Sequence, residues 1–308
     1  MVKSYEEIIQ SLAKKVGFDL VGFAKVEELV EETEKLEIWL KNKYHAGMDY
    51  LERNLEKRKN VKELVPDANS VISVGLNYYN DEKYSDKLNY GKVSRYAWGE
   101  DYHFVMWDMM DELIKLIKHE INVFEGKRYV DSAPVMDKVW AIRSGLGWMG
   151  KNSNIINKNI GSYFFIGNII NNLKLDSGNL INDFCGTCTD CIESCPTDAI
   201  VSSRVIDSNK CISYLTIENK KEIPDEFVGK FDGWIFGCDI CQEVCPWNIK
   251  FAVKTKTMRF LKSENVELNL NDVMNYDNEK FSQKFNRSPI KRAKLSGLKR
   301  NAEHLQKL

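Results

Sequence analysis

The chain has 308 residues, 43% of them hydrophobic, and its 44 Lys and Arg against 45 Asp and Glu leave a formal net charge of −1. Such a chain can bury one large core plus a smaller module, which excludes a disordered or fibrous class. Near-neutral charge gives no global attraction to nucleic acid, and no apolar run approaches the roughly 18 residues of a membrane span.

The Met1-Val-Lys-Ser4 start carries neither an apolar signal segment nor twin arginines, so a soluble, cytoplasmic protein is expected. Ser4-Tyr-Glu-Glu7 is a capping box, and Ile8, Leu12 and Val16 continue at helical spacing to a stop near Gly17. Phe18 to Phe23 then reads as a strand, Val26 to Lys43 as a helix, and Leu51 to Leu64 as a charge-rich helix. Val71 to Tyr79 is a β-branched and aromatic run expected to form a buried strand.

Asp101 to Phe124 reads as a long helix with Met106, Met110, Leu113 and Ile117 on one face. Arg128 to Val130 is a short strand that delivers Asp131 at its end, and Ser162 to Ile170 is another strand. The simpler reading of Asp131 is a turn cap. The alternative is a proton donor, which would require a rigid, partly desolvated carboxyl whose pKa is raised toward neutrality.

Gly145-Leu-Gly147-Trp-Met-Gly150 matches the spacing of a dinucleotide-binding turn. It follows a helical stretch, Val135 to Ser144, rather than a strand, and no acidic residue closes a second strand, so it reads as a close-packed loop. His45, His103, His119 and His304 are scattered and read as surface or packing residues.

The strongest signal is Cys185-Gly-Thr-Cys188-Thr-Asp-Cys191-Ile-Glu-Ser-Cys195-Pro196, answered by Cys238-Asp-Ile-Cys241-Gln-Glu-Val-Cys245-Pro246. The first run has the C-x2-C-x2-C-x3-C-P spacing of bacterial ferredoxins, in which the fourth cysteine reaches across to a second [4Fe-4S] cluster. With Cys211 the chain has eight cysteines. Crossed ligation puts Cys185, Cys188, Cys191 and Cys245 on one cluster, and Cys195, Cys211, Cys238 and Cys241 on the other. Structural zinc also uses C-x2-C pairs, but a tetrahedral site has no use for three cysteines at this spacing followed by Cys-Pro.

Beyond the cluster module, Asn271 to Phe285 and Pro289 to Leu308 read as helices. From Arg287 onward seven Lys and Arg face a single acid, Glu303. That is either a solvated tail helix or a local phosphate-binding patch.

Several motifs together resemble the epoxyqueuosine reductase family. They are Arg95-Tyr-Ala-Trp-Gly-Glu-Asp-Tyr-His103, Val130-Asp-Ser-Ala-Pro134, Arg143 to Asn152, Gly161-Ser-Tyr-Phe-Phe165, the ferredoxin run, Arg204 to Thr216, and Gly237 to Asn248. The likeness is to the short form without C-terminal HEAT-like repeats. It implies an α+β fold: a cobalamin-binding, nitroreductase-like α/β core over residues 1–180, an inserted ferredoxin-like domain with two [4Fe-4S] clusters over 181–250, and C-terminal helices over 251–308 that contact tRNA.

The implied reaction removes the epoxide oxygen of epoxyqueuosine at the tRNA wobble position. Co(I) cobalamin, fed by the clusters, acts with Asp131 as proton donor. By the same resemblance, cobalamin contacts fall on Arg58, Ser94, Asp131, Ile155, Ile166, Ser213, Cys238 and Asp239. Contacts to tRNA fall on Lys291, Arg292, Lys299 and Arg300. The implied partners are the anticodon stem-loop of tRNAs with GUN anticodons and a small redox donor such as flavodoxin or ferredoxin. The protein is expected to act as a monomer.

Two other functions fit parts of the chain. The cysteines alone would allow a stand-alone ferredoxin-type electron carrier, which leaves the upstream residues without a role. A cobalamin-dependent reductive dehalogenase has a similar cluster region, but such enzymes usually carry a twin-arginine signal.

Overall fold

The computed structural model describes residues 3–85, 87–262 and 264–307. Met1, Val2 and Leu308, which the readings above include, lie outside the described residues. The first helix, α1 (Tyr5–Val16), begins at the expected box. Glu7 N–H donates to Ser4 Oγ at 3.2 Å while Ser4 N–H donates to the Glu7 carboxylate at 3.0 Å. Gly17 closes the helix at φ 109, a left-handed conformation that costs glycine little.

Four strands form the central sheet: β1 (Leu20–Lys25), β2 (Ser70–Asn77), β4 (Gly126–Tyr129) and β5 (Phe164–Asn171). Their order is β1-β2-β5-β4 and every pairing is antiparallel. This is an α+β architecture. Alternation along β2 turns Ile72, Val74 and Leu76 toward α1 and the helix α3 (Tyr102–Glu120), with Met106, Met110, Leu113 and Ile117 facing them. Val71 and Ile170 face the other way, onto Trp140 of the helix α4 (Asp137–Arg143).

Several expected elements are broken by local chemistry. The helix α2 runs only Val30–Lys41. The stretch expected as one helix from Leu51 to Leu64 divides because Asn54 adopts φ 60 and Asn60 caps the next turn with its side chain. Asn271 to Phe285 divides into Leu270–Asn275 and Asn278–Lys284, the second capped by Asp277, whose Oδ1 accepts from Lys280 N–H at 2.8 Å. Pro289–Ala293 is a 3-10 turn before the helix Lys294–Leu305.

One sheet had no counterpart in the sequence reading. The strand β3 (Tyr90–Val93) pairs in parallel with β6 (Trp234–Phe236) and antiparallel with β7 (Glu267–Asn269). It joins the segments before, within and after the cysteine runs over a core that includes Trp98, Ile235, Phe236, Leu268 and Leu298. Among the described residues no helix is long and apolar enough to cross a membrane.

Candidate active site

The cysteine runs fold as two matching pieces, each with a short helix, Asp190–Glu193 and Ile240–Glu243. All eight cysteines are free thiols. Burial pushes the Cys191 thiol up to about 11, and the neighbouring Cys245, Cys185 and Cys188 add to the shift. Burial also raises Cys241, with Cys211 the next cause and Asp239, Cys191 and Cys195 adding less in that order. Cys238 is raised first by burial, then by Cys241 and Cys211. Ligation requires the thiolate, so cationic iron is the charge that would offset this cost.

The glycine-rich stretch before the cysteines is a packed loop. A Cβ on Gly147 would lie 2.2 Å from the Ile156 carbonyl oxygen, so the backbones can approach only without a side chain. The next residue but three, Lys151, donates from Nζ to the carbonyls of Gly186 and Cys188, each at 2.8 Å, and so ties this loop to the first cysteine run.

Asp131 lies just beyond β4, an edge strand, at φ 49. The expectation of a partly desolvated carboxyl is corrected here: Asp131 is exposed, because the sheet ends beside it. Its Oδ2 accepts from the Tyr102 hydroxyl at 2.9 Å. The raised carboxyl is Asp137, which burial pushes up to about 7, with the Asp131 charge adding to the shift.

Segments distant in sequence meet around these groups. Tyr50 is exposed, yet the protein around it raises its phenol by partial desolvation, and Glu218 and Asp131 act on it further while Arg292 and Arg58 oppose them. Burial lowers Arg58, against the pull of Tyr50 and Asp137. Lys138 is lowered by desolvation, against Asp131, Cys241 and Cys211, and its Nζ donates to the Ser153 carbonyl at 2.8 Å. The neighbouring Asn152 donates from Nδ2 to the Cys241 carbonyl at 2.9 Å, so the loop that receives Lys138 also meets the second cysteine run. Lys138, Asp137, Tyr50 and Tyr102 were not singled out from sequence; Tyr102 lay inside a quoted motif, whereas the other three carry no local signal.

The remaining expected contacts divide. Arg58 has a buried Nε with no hydrogen-bond partner, as does Ser153 at Oγ. Ser213 faces the Cys211 thiol with its hydroxyl and its backbone amide. Ile155 is buried in a two-stranded hairpin with Trp148, Met149 and Ile156, and Ile166 is half-buried on β5. Ser94 and Asp239 need correction: Ser94 Oγ donates to Asp239 at 2.6 Å and Arg95 N–H donates to the other oxygen at 2.7 Å, and both side chains are buried within this network rather than turned toward a cofactor.

Arg300 also needs correction. Its guanidinium donates to the carbonyls of Leu215, Asn219 and Lys221 and to Asn301 Oδ1, and this occupies all five of its N–H donors. Arg292 is exposed and pairs with Glu218 at 2.7 Å. Lys291 is exposed and Lys299 half-buried. His45 and His304 are buried packing residues, bonded to Glu52 at 3.1 Å and to the Phe227 carbonyl at 3.2 Å.

Comparison with known proteins agrees with this arrangement. The family model described as epoxyqueuosine reductase QueG matches residues 58–132, and one described as a 4Fe-4S double cluster binding domain matches 184–248. An epoxyqueuosine reductase of Leadbetterella byssophila is 49% identical over 97% of this chain and 98% of its own. The crystal structure of an epoxyqueuosine reductase with an epoxyqueuosine-modified tRNA-Tyr stem loop superposes with a TM-score of 0.91 at 30% identity, covering 97% of this chain and 80% of that one. One from Bacillus subtilis, with its catalytic aspartate loop swung out of the active site, gives 0.90 at 28% identity over the same shares. With 49% identity along nearly the whole of both chains, this chain belongs to the epoxyqueuosine reductase family.

Proposed function

We propose that the chain reduces epoxyqueuosine at the tRNA wobble position to queuosine, using cobalamin and two [4Fe-4S] clusters, with Asp131 as the proton donor. The observation that carries this reading is the loop 152–154, where the Ser153 carbonyl accepts from Lys138 Nζ at 2.8 Å and Asn152 Nδ2 donates to the Cys241 carbonyl at 2.9 Å. It supports a path from the second cluster toward the segment that follows Asp131.

The thiol neighbourhoods support crossed ligation. Cys185, Cys188, Cys191 and Cys245 hold the first cluster, and Cys195, Cys211, Cys238 and Cys241 the second, which adjoins Lys138. Residues 181–250 act as the electron-transfer unit, residues 1–180 as the catalytic core and residues 251–308 as the tRNA-contacting segment. Electrons from a small redox donor such as flavodoxin or ferredoxin enter at the first cluster and leave from the second.

Cobalamin fits these residues, because its amide and phosphate oxygens are acceptors for the unpartnered Arg58 Nε and its amide nitrogens are donors for Ser153 Oγ. Arg58, Ile155, Ile166 and Ser213 would hold it, and when bound it supplies the low-valent cobalt for two-electron reduction of the substrate. Converting the epoxide to an alkene and water consumes two electrons and two protons. Asp131, oriented by Tyr102, gives a proton to the epoxide oxygen, whose departure as water would otherwise require an alkoxide to leave. Lys291, Arg292 and Lys299 meet tRNA phosphates as a single chain engages the anticodon stem-loop of tRNAs with GUN anticodons.

The test is anaerobic turnover of the cluster-loaded chain on epoxyqueuosine tRNA, with and without cobalamin, scored by nucleoside mass. Queuosine formed only with cobalamin, and at least about a hundredfold more slowly by Asp131→Asn, is expected. Turnover independent of cobalamin, or unaffected by Asp131→Asn, overturns the corresponding part.

A further inference from the structure

Asp131 is a non-glycine residue at φ 49, in a loop over the edge of the sheet. Such a conformation costs on the order of 1 kcal/mol and persists only where its surroundings hold it. One hold is Tyr102, on α3. A second approaches from beneath the loop.

Asn168 Nδ2 donates to Asp137 Oδ1 at 2.7 Å, and Asn168 Oδ1 accepts from Ser73 Oγ at 2.7 Å. Ser73 Oγ lies 2.9 Å from Ser144 Oγ. Asn168 and Ser73 are fully buried and face each other across the β2–β5 ladder. Asn168 is also the backbone partner of Tyr129, the last residue of β4 before the Asp131 loop. Asn168 therefore holds both ends of the loop, Tyr129 through the backbone pairing and the Asp137 carboxyl through its side chain. A carboxyl at the start of α4 that accepts from Asn168 on β5 ties the far end of the loop to the strand that its near end pairs with.

We propose that Asp137 is the positioning residue of this site, a clasp that uses Asn168 as its anchor to hold the Asp131 loop inward. The raised Asp137 carboxyl agrees with this placement, since desolvation is the main cause and the Asp131 charge adds to it. The clasp rests on the reading of Asp131 as proton donor.

The experiment compares Asp137→Ala and Asp137→Asn with the parent chain, each loaded with both clusters and cobalamin. It measures steady-state turnover on epoxyqueuosine tRNA and hydrogen exchange across residues 130–136. Asp137→Ala should lower kcat about tenfold, with KM for tRNA and iron content unchanged, and should speed exchange in that segment. Asp137→Asn keeps an acceptor oxygen for Asn168 and should recover most of both. Parent-like exchange in Asp137→Ala overturns the clasp, whatever happens to turnover, and so does failure of Asp137→Asn to rescue.

Asp131→Asn separates the two readings, because it should lose turnover and keep parent-like exchange. If Asp131→Asn turns over normally, the proton-donor reading fails while the exchange of Asp137→Ala still decides the clasp.

Discussion

The hydroxyl of Tyr102 donates to Asp131 at 2.9 Å across 29 residues of sequence. Tyr102 is itself fixed, stacked on Phe165 with ring centroids 4.4 Å apart and planes 6° from parallel. Phe165 lies on β5 and Asp131 follows β4, so a single aromatic stack sets the height of the carboxyl above the sheet. Tyr102→Phe keeps the stack and removes the donor. A hydrogen bond to a charged group contributes about 1.5–3 kcal/mol, less at an exposed site. Single-turnover rates should fall about tenfold with both clusters retained, and an unchanged rate would remove Tyr102 from the site.

Glu100 gathers two arginines. It accepts from Arg259 at 2.6 and 2.9 Å and from Arg287 at 2.6 Å. The hydrogen bond from Arg259 is the main cause of its carboxyl being held down at about 2, with Arg287 adding to it. Because the folded pKa is depressed, the stabilisation is complete above the unfolded value of 4.5 and is lost as pH falls toward 2. Glu100→Gln should cost about 1 kcal/mol in urea unfolding at neutral pH, after discounting for solvent screening. The gap between variant and parent should hold from about pH 8 to 5 and narrow below that. A gap that widens on acidification would contradict this pairing.

Arg95 compensates a fully buried Asp239 from 3.5 Å, pairs with Glu243, and lies over the Trp98 ring at 5.1 Å. Removing one member of such a pair leaves an uncompensated buried charge, at a cost of about 3–5 kcal/mol. Asp239 is adjacent in sequence to Cys238, so the loss falls on the second cluster. Arg95→Met should lower thermal stability and reduce bound iron to about half, read by iron analysis and by electron paramagnetic resonance of the reduced protein. Full iron content in a folded Arg95→Met chain would refute the link.

The basic C-terminal segment should behave as two classes of residue. Lys291→Gln and Lys299→Gln should each reduce the salt slope of tRNA binding by about one unit, as expected for lost phosphate contacts. Arg300→Gln should instead lower the unfolding temperature and leave the salt slope unchanged, because its donors serve carbonyls within the protein. A salt slope that responds to Arg300 alone would reverse the assignment.

The sequence by itself determined the features that depend on spacing over a few residues. The capping box at Ser4, the strands around Val74 and Ile169, the amphipathic stripe of α3 and the ferredoxin cysteine runs all follow from local periodicity or from fixed ligand intervals. Asp131 could be placed at a strand end for the same reason. Its exposure could not, since that depends on β4 being an edge strand, a consequence of sheet order.

The rest was decided only when distant segments met. Asp137 is anchored by Asn168 from 31 positions along the chain, Tyr50 and Lys138 sense charges on segments as far off as Glu218 and Cys241, and Arg300 is diverted from a phosphate-binding role by carbonyls of the Leu215–Lys221 segment. The β3–β6–β7 sheet was illegible for a related reason: three short strands from three parts of the chain carry no periodicity that a local window can detect. Burial and charge coupling are properties of neighbours in space, and for these residues the neighbours are remote in sequence.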